Sequence, residues 1–196
     1  MTERVDRRVR KTKSQLKSGL AHLMMEKSIN EISVKELVET VDINRSTFYL
    51  HYSDIYSLLE EMEDELLGEI KQAIELHPVG VEDNTFIFME DIYLVLEKNK
   101  EVCQALMGDT GDAAFIYKMK RIIRENTMKQ LEILFPDIKD DLRYTFSFCL
   151  SGCFGIVNQW LFENGTESPR HMAKITFSML IHALGINKKY EEILNK

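Results

Sequence analysis

An all-α fold is predicted by three features of the 196-residue chain. Apolar residues recur at steps of three and four along almost the whole length, the spacing of one helix face. No segment alternates apolar and polar residues with the period of two that a strand needs. The 3 prolines and 9 glycines are too few for a loop-rich or low-complexity chain, and the breakers sit between the periodic runs.

The first run places Leu16, Leu20, Leu23 and Met24 on one face of a helix from about Arg7 to Lys27. Ser28-Ile29-Asn30 interrupts it. Ser33 precedes Val34, Leu37 and Val38, with Glu36 three residues on, a capping box that opens a short second helix. Thr40-Val41-Asp42-Ile43 is a tight turn in which Asp42 can take positive φ, a conformation glycine adopts at less cost. Asn44 caps a third short helix that is expected to reach about Tyr52. After Ser53-Asp54, the residues Ile55, Leu58, Leu59, Met62, Leu66, Ile70 and Ile74 mark a long fourth helix ending before His77-Pro78-Val79-Gly80. Further helices are expected at about 83–99, 101–108, 112–134, 138–164 and 168–185, punctuated by Pro136, Asn164-Gly165, Ser168-Pro169 and Gly185.

Hydrophobic residues at 44% and charged residues at 29% are ordinary for a globular chain with a real core. Three cysteines make no disulfide framework, and their odd number fits a reducing compartment. Met1 to Lys17 has no apolar stretch to serve as a signal peptide, so a cytoplasmic location is expected. Thr145 to Phe162 is free of charge, but Ser147, Ser151, Asn158 and Gln159 would enter hydrocarbon at a cost. A helix buried at a protein interface is expected there, and no membrane partner.

The net charge of −7 conceals two regions. Residues 1–52 carry 10 Lys+Arg against 7 Asp+Glu, while residues 53–196 carry 15 against 25. Within residues 1–20 the excess reaches +5. Such asymmetry points to an anionic partner for the front of the chain alone.

Three short helices and a long one, basic at the front, form the layout of a helix-turn-helix domain. Val34, Leu37, Val41, Ile43 and Phe48 supply a small core between the second and third helices. Their spacing turns Lys35, Asn44, Arg45, Ser46, Thr47, Tyr49 and His51 outward. Arg pairs bidentately with guanine and Asn with adenine, and hydroxyls reach phosphate oxygens. Ser33 and Tyr52 flank this face, and Arg7 and Lys11 are candidates for the DNA backbone. Duplex DNA is the expected partner.

Residues 29–59 resemble the DNA-binding signature of the tetracycline-repressor (TetR) family of bacterial transcription regulators. The match is carried by Ile32, Val34, Leu37, Ile43, Ser46, Thr47, Phe48, Tyr49, His51, Tyr52, Leu58 and Leu59 in one register. The resemblance implies an all-α homodimer whose residues 1–53 form the three-helix DNA-binding domain. Residues 54–196 would then form a helical ligand-binding and dimerisation domain. It also implies release from a near-palindromic operator when an unidentified small molecule binds, and a repressor is expected. Three positions depart from the family pattern. The turn has Val41-Asp42 where Ala-Gly is usual, Leu50 stands where a basic residue is common, and Ile55 stands where a lysine usually holds a phosphate. Each missing phosphate contact removes about 0.9 from the log–log salt slope. Arg4, Arg7, Arg8, Arg10, Lys11 and Lys13 are expected to compensate, and Leu50 and Ile55 to pack on each other and on the body of the protein. The same departures support an alternative, a co-regulator that keeps the fold, does not bind DNA and acts through a protein partner.

Residues 152–173, with Gly155 to Gly165 and Ser168-Pro169, resemble the last two helices of a TetR subgroup that includes regulator-like proteins of dihydroxyacetone kinase operons. Ser147, Ser151 and Gly155, at i, i+4 and i+8, make a stripe of small residues that admits another helix. With Phe154 and Trp160 beside it, and Met179, Leu180 and Ala183 on the last helix, a two-fold interface is expected. The ligand site is not located by sequence: Phe86, Met89, Tyr93, Met107, Phe115, Tyr117 and Met119 fit a core better than a pocket. Gly108 to Asp112 lacks the lysine and preceding strand of a phosphate cradle. Cys149, Cys153 and Cys103 read as buried thiols, and no metal or cofactor is expected. There is no nucleophile–base pair or Gly-rich cofactor loop, so the chain is not expected to be an enzyme.

Overall fold

A computed structural model describes residues 2–77, 84–134, 136, 140–163 and 166–183. Among these residues there are nine α-helices and no strand: α1 Thr2–Met24, α2 Val34–Thr40, α3 Arg45–Tyr49, α4 Ile55–Leu76, α5 Asn84–Lys98, α6 Lys100–Met107, α7 Ala113–Leu134, α8 Leu142–Phe162 and α9 Pro169–Ala183. A 3-10 turn, Ile29–Glu31, follows α1. Pro78 to Gly80, Asn164-Gly165, Gly185 and the Arg4 side chain lie outside what is described.

The third helix is shorter than its pattern predicts. It ends at Tyr49, and His51 and Tyr52 bond back to the Phe48 carbonyl at 2.9 and 3.0 Å in a turn. Just beyond Tyr49, Tyr52 is buried and packs its ring against Phe48.

The described chain divides into two compact units. Unit 1 comprises residues 1–66 and 99–116, and unit 2 comprises residues 67–98 and 117–196. The expected boundary at residue 53 follows the end of the motif. The units follow packing, and the first half of α4 buries Ile55, Leu58, Leu59, Met62 and Leu66 in unit 1.

In unit 1, α1 buries Leu16, Leu20 and Met24 completely, the face its spacing predicts. Leu37 and Phe48 join them fully buried, and Val38 and Ile32 nearly so. Val34, Val41 and Ile43 are only half-buried. Helix α6 packs along α1, and Thr110 donates to the Met24 carbonyl at 2.5 Å, satisfying an orphan acceptor at the end of α1.

In unit 2, α5 and α9 form the main pairing. Tyr93 is buried to 1% and its hydroxyl lies 2.6 Å from that of buried Thr176. Trp160 stands edge-on to Tyr93 with centroids 5.3 Å apart. No described helix is long and apolar enough to cross a membrane.

Candidate nucleic-acid interface

The second and third helices are built by local chemistry. Ser33 accepts from the Glu36 amide at 3.2 Å and caps α2. Glu36 bonds the Lys27 ammonium, which holds its carboxyl below the usual range. The turn has Asp42 at φ 52°, as its position predicts, and the Ile43 amide reaches the Val38 carbonyl at 2.9 Å. Asn44 caps α3: its Oδ1 accepts from the Ser46 amide at 2.9 Å and the Ser46 hydroxyl at 2.8 Å.

The bulky Val41 in this turn has a partner that sequence reasoning missed. Gly19 of α1 faces it, and a Cβ there would collide with Cγ1 of Val41 and press on Cδ1 of Leu37 at 3.1 Å. The missing side chain on α1 makes room for the one the turn carries in excess.

Phe48 anchors α3 inward with no exposure, while the opposite side faces solvent. Asn44, Arg45, Ser46 and Tyr49 are exposed, and Thr47 and His51 are half-buried. Arg45 donates to the Tyr49 hydroxyl at 3.2 Å, and its guanidinium carbon lies 5.5 Å from the Tyr49 ring centroid. Ser33 and Lys35 on α2 are exposed, and Lys35 lies 3.9 Å from Glu39. Arg7 and Lys11 are exposed on α1.

Tyr52 is a correction. It is 5% exposed, packs against Phe48 at 5.7 Å, and donates its hydroxyl to Glu61 at 3.0 Å. Burial and the Glu61 carboxylate raise its phenol above the ordinary range. It braces α3 and offers nothing to a phosphate. Lys13 is likewise engaged: it lies 2.7 Å from Glu61 and 5.2 Å from the Tyr52 ring centroid. Lys17 reaches Glu61 at 2.7 Å and Glu65 at 2.6 Å, and despite partial burial these carboxylates raise its pKa. Partial burial alone would raise the Glu61 carboxyl, but the hydrogen bonds from Lys13, Lys17 and Tyr52 outweigh it and hold it at about 2. The matched i, i+4 spacings, Lys13 with Lys17 and Glu61 with Glu65, were the signal in the sequence for this lock.

Leu50 and Ile55 do not pack as a pair. Ile55 is buried at 4% exposure, and Leu50 stands 79% exposed at the end of α3. An apolar side chain there borders the polar face without covering anything.

A second face lies on α8 and α9. Ser147, Ser151 and Gly155 are exposed in line, with Phe148 at 74% and Met179 at 56%. A Cβ added at Gly152 or Gly155 meets nothing. Phe148, Cys149, Gly152, Cys153, Met179 and Ala183 line a largely apolar groove of about 390 Å³. Phe148 and Gly152 were not singled out by sequence, although they follow the same stripe. Trp160 is a second correction. It is buried against Tyr93, and its indole donates to the Glu167 carbonyl at 3.0 Å, so it serves unit 2's own core. Leu180 is half-buried, and Phe154 is half-buried beneath the Lys120 ammonium at 5.0 Å.

Tyr93, Met107, Phe115 and Met119 are buried, and Tyr117 is exposed. Burial raises the Cys149 thiol and pushes Cys153 up to about 12, so neither is a ready thiolate. Among the described residues, no group of three His, Cys, Asp or Glu side chains is placed to hold a metal ion.

Comparison with known proteins agrees with this arrangement. Residues 83–182 match the family model for the C-terminal region of TetR-type transcriptional regulators. A TetR regulator from Streptococcus agalactiae superposes with a TM-score of 0.60 at 21% identity, covering 92% of this chain and 99% of that one. The fatty acid degradation regulator FadR of Bacillus halodurans gives 0.60 at 12% identity, covering 90% and 96%. The dihydroxyacetone kinase operon activator DhaS gives 0.55 at 15%, covering 89% and 97%. These likenesses show a shared fold. An uncharacterised helix-turn-helix regulator of Bacillus subtilis, YxbF, is 28% identical over 61 residues, 31% of this chain and 16% of that relative's length. The chain belongs to the TetR family of transcriptional regulators.

Proposed function

We propose that the chain is a dimeric, ligand-responsive repressor of the bacterial cytoplasm that grips a near-palindromic operator through α2 and α3. The observation that carries this reading is the division of α3, whose Phe48 is sealed inward while Arg45, Ser46 and Tyr49 face solvent. That division supplies donors for base edges and phosphates on a rigid support. Ser33, Lys35, Asn44, Thr47 and His51 flank the reading residues, and Arg7 and Lys11 supply positive charge along the DNA backbone.

A second copy of the chain, seated on the open stripe of Ser147, Ser151 and Gly155 with Met179, Leu180 and Ala183, would pair two such faces. The spacing needed is about 34 Å, one turn of B-DNA. A small molecule with higher affinity for another spacing would shift the population away from the DNA-competent form. The name of DhaS describes an activator, so the sign of regulation is a question separate from DNA binding.

Titration of the full chain onto the duplex upstream of its own gene, read by fluorescence anisotropy, tests the reading. Saturable binding is expected at low salt. Arg45→Ala should relax base preference, whereas Arg7→Ala or Lys11→Ala should weaken all sequences about evenly. Exposed Leu50 favours a second reading, the co-regulator that binds a protein. Absence of saturable DNA binding at low salt would select it.

A further inference from the structure

Most polar groups at the tip of α3 are spoken for. Asn44 and Ser46 bond to each other while capping the helix, and Tyr52 and Lys13 are held at Glu61. The Arg45–Tyr49 pair differs: both side chains are exposed, and their contact caps no backbone amide. Arg45 occupies the first residue of α3 and Tyr49 the last, so the i, i+4 spacing sets them side by side. The Tyr49 ring is fixed in turn by an edge contact to buried Phe48, with centroids 5.4 Å apart and planes at 88°. A planar guanidinium over an aromatic face loses less freedom when it forms hydrogen bonds than one that swings in solvent. It gives one donor to the Tyr49 hydroxyl and keeps the rest.

We propose that Tyr49 is a positioning residue that sets base preference by holding the Arg45 guanidinium ready for bidentate contact with a guanine. The proposal rests on the DNA-binding reading above and deepens it. It assigns Tyr49 a role through Arg45 and not through a phosphate oxygen. Phe48 transmits the rigidity of unit 1's core to Tyr49, and Tyr49 passes it to the one side chain on α3 with a fork of donors.

The test uses the full-length chain and a duplex that it selects from a random library. Binding to that duplex is compared with binding to variants changed one base pair at a time, over a series of salt concentrations. Tyr49→Leu should lose about tenfold of the preference at the base pair that Arg45→Ala also affects, with the salt slope unchanged. Tyr49→Phe keeps the stacked ring and should keep most of the preference. In the Arg45→Ala background, Tyr49→Leu should change the preference no further. A uniform loss across all sequences in Tyr49→Phe, with a smaller salt slope, would overturn the proposal in favour of a phosphate contact. Retained preference in Tyr49→Leu would overturn it too. A wild-type chain that selects no duplex would instead remove the DNA-binding reading, and this proposal with it.

Discussion

The two units treat their surfaces in opposite ways. Unit 1 pairs several charged and polar side chains within itself: Lys13, Lys17 and Tyr52 converge on Glu61, and Lys27 meets Glu36. Arg7, Lys11, Ser33, Lys35, Asn44, Arg45, Ser46 and Tyr49 remain outward on α1, α2 and α3 and at their caps. Unit 2 does the reverse along α8, where an uncharged run leaves Ser147, Phe148, Ser151 and Gly155 facing solvent. Unit 1 thus buries a core of its own, while unit 2 leaves a helix face that the described residues do not cover. The composition of a helix does not say which of these happens. The neighbours do.

The largest expected effect that sharpens this contrast is at Phe48. Phe48→Ala removes a fully buried ring shared by α3 and the Tyr52 turn. It should cost about 3–5 kcal/mol in urea unfolding followed by circular dichroism. A loss below about 1 kcal/mol would mean that α3 is not held by this core.

Next comes the open face of unit 2. A Cβ at Gly155 meets nothing among the described residues, so the Gly155→Arg monomer should unfold within about 0.5 kcal/mol of the wild type. The same change would bury a charge between two copies, and sedimentation should show dissociation of the dimer. A dimer that persists at micromolar concentration would place the interface elsewhere.

Gly19→Ala should destabilise unit 1 by about 1–3 kcal/mol through its collision with Val41. Adding Val41→Ala should restore much of the loss. Gly152→Ala, on the open face, should instead stabilise its helix by about 0.5–1 kcal/mol. If both glycines respond alike, the contrast between the units fails at the backbone level.

The last effect concerns Glu61. Its carboxyl is held at about 2 against an ordinary 4.5, so the stability it contributes is complete above about pH 4.5 and is lost as pH falls toward 2. Glu61→Gln should flatten the acid limb of the melting-temperature profile. At neutral pH it should cost about 1 kcal/mol after solvent screening, or roughly 2–4 °C. An unchanged acid limb would show that the three donors do not act through Glu61.

Much of the architecture was readable as pattern. The apolar steps of α1 and α4 name the residues that are buried, because a 3.6-residue period admits one buried face. The caps at Ser33 and Asn44 and the positive φ of Asp42 follow from local chemistry that needs no distant partner. The outward position of Arg45 and Tyr49 follows from the inward position of Phe48. Tyr52 was misassigned because a tyrosine beside the motif reads equally as a phosphate ligand or as a core ring. Only the arrival of α4 with Glu61 chose between them. Trp160 was misassigned for the same reason, as Tyr93 on another helix claims its ring.

The sequence by itself determined the helices, their caps, the basic front and the family, since each is set by residues within a turn or two of one another. Tertiary structure decided which cations are spent, that Gly19 makes room for Val41, that Leu50 stays in solvent, and which side of α8 lies open. Those outcomes depend on pairs far apart in the chain, and a free energy of contact exists only once folding has brought both partners together.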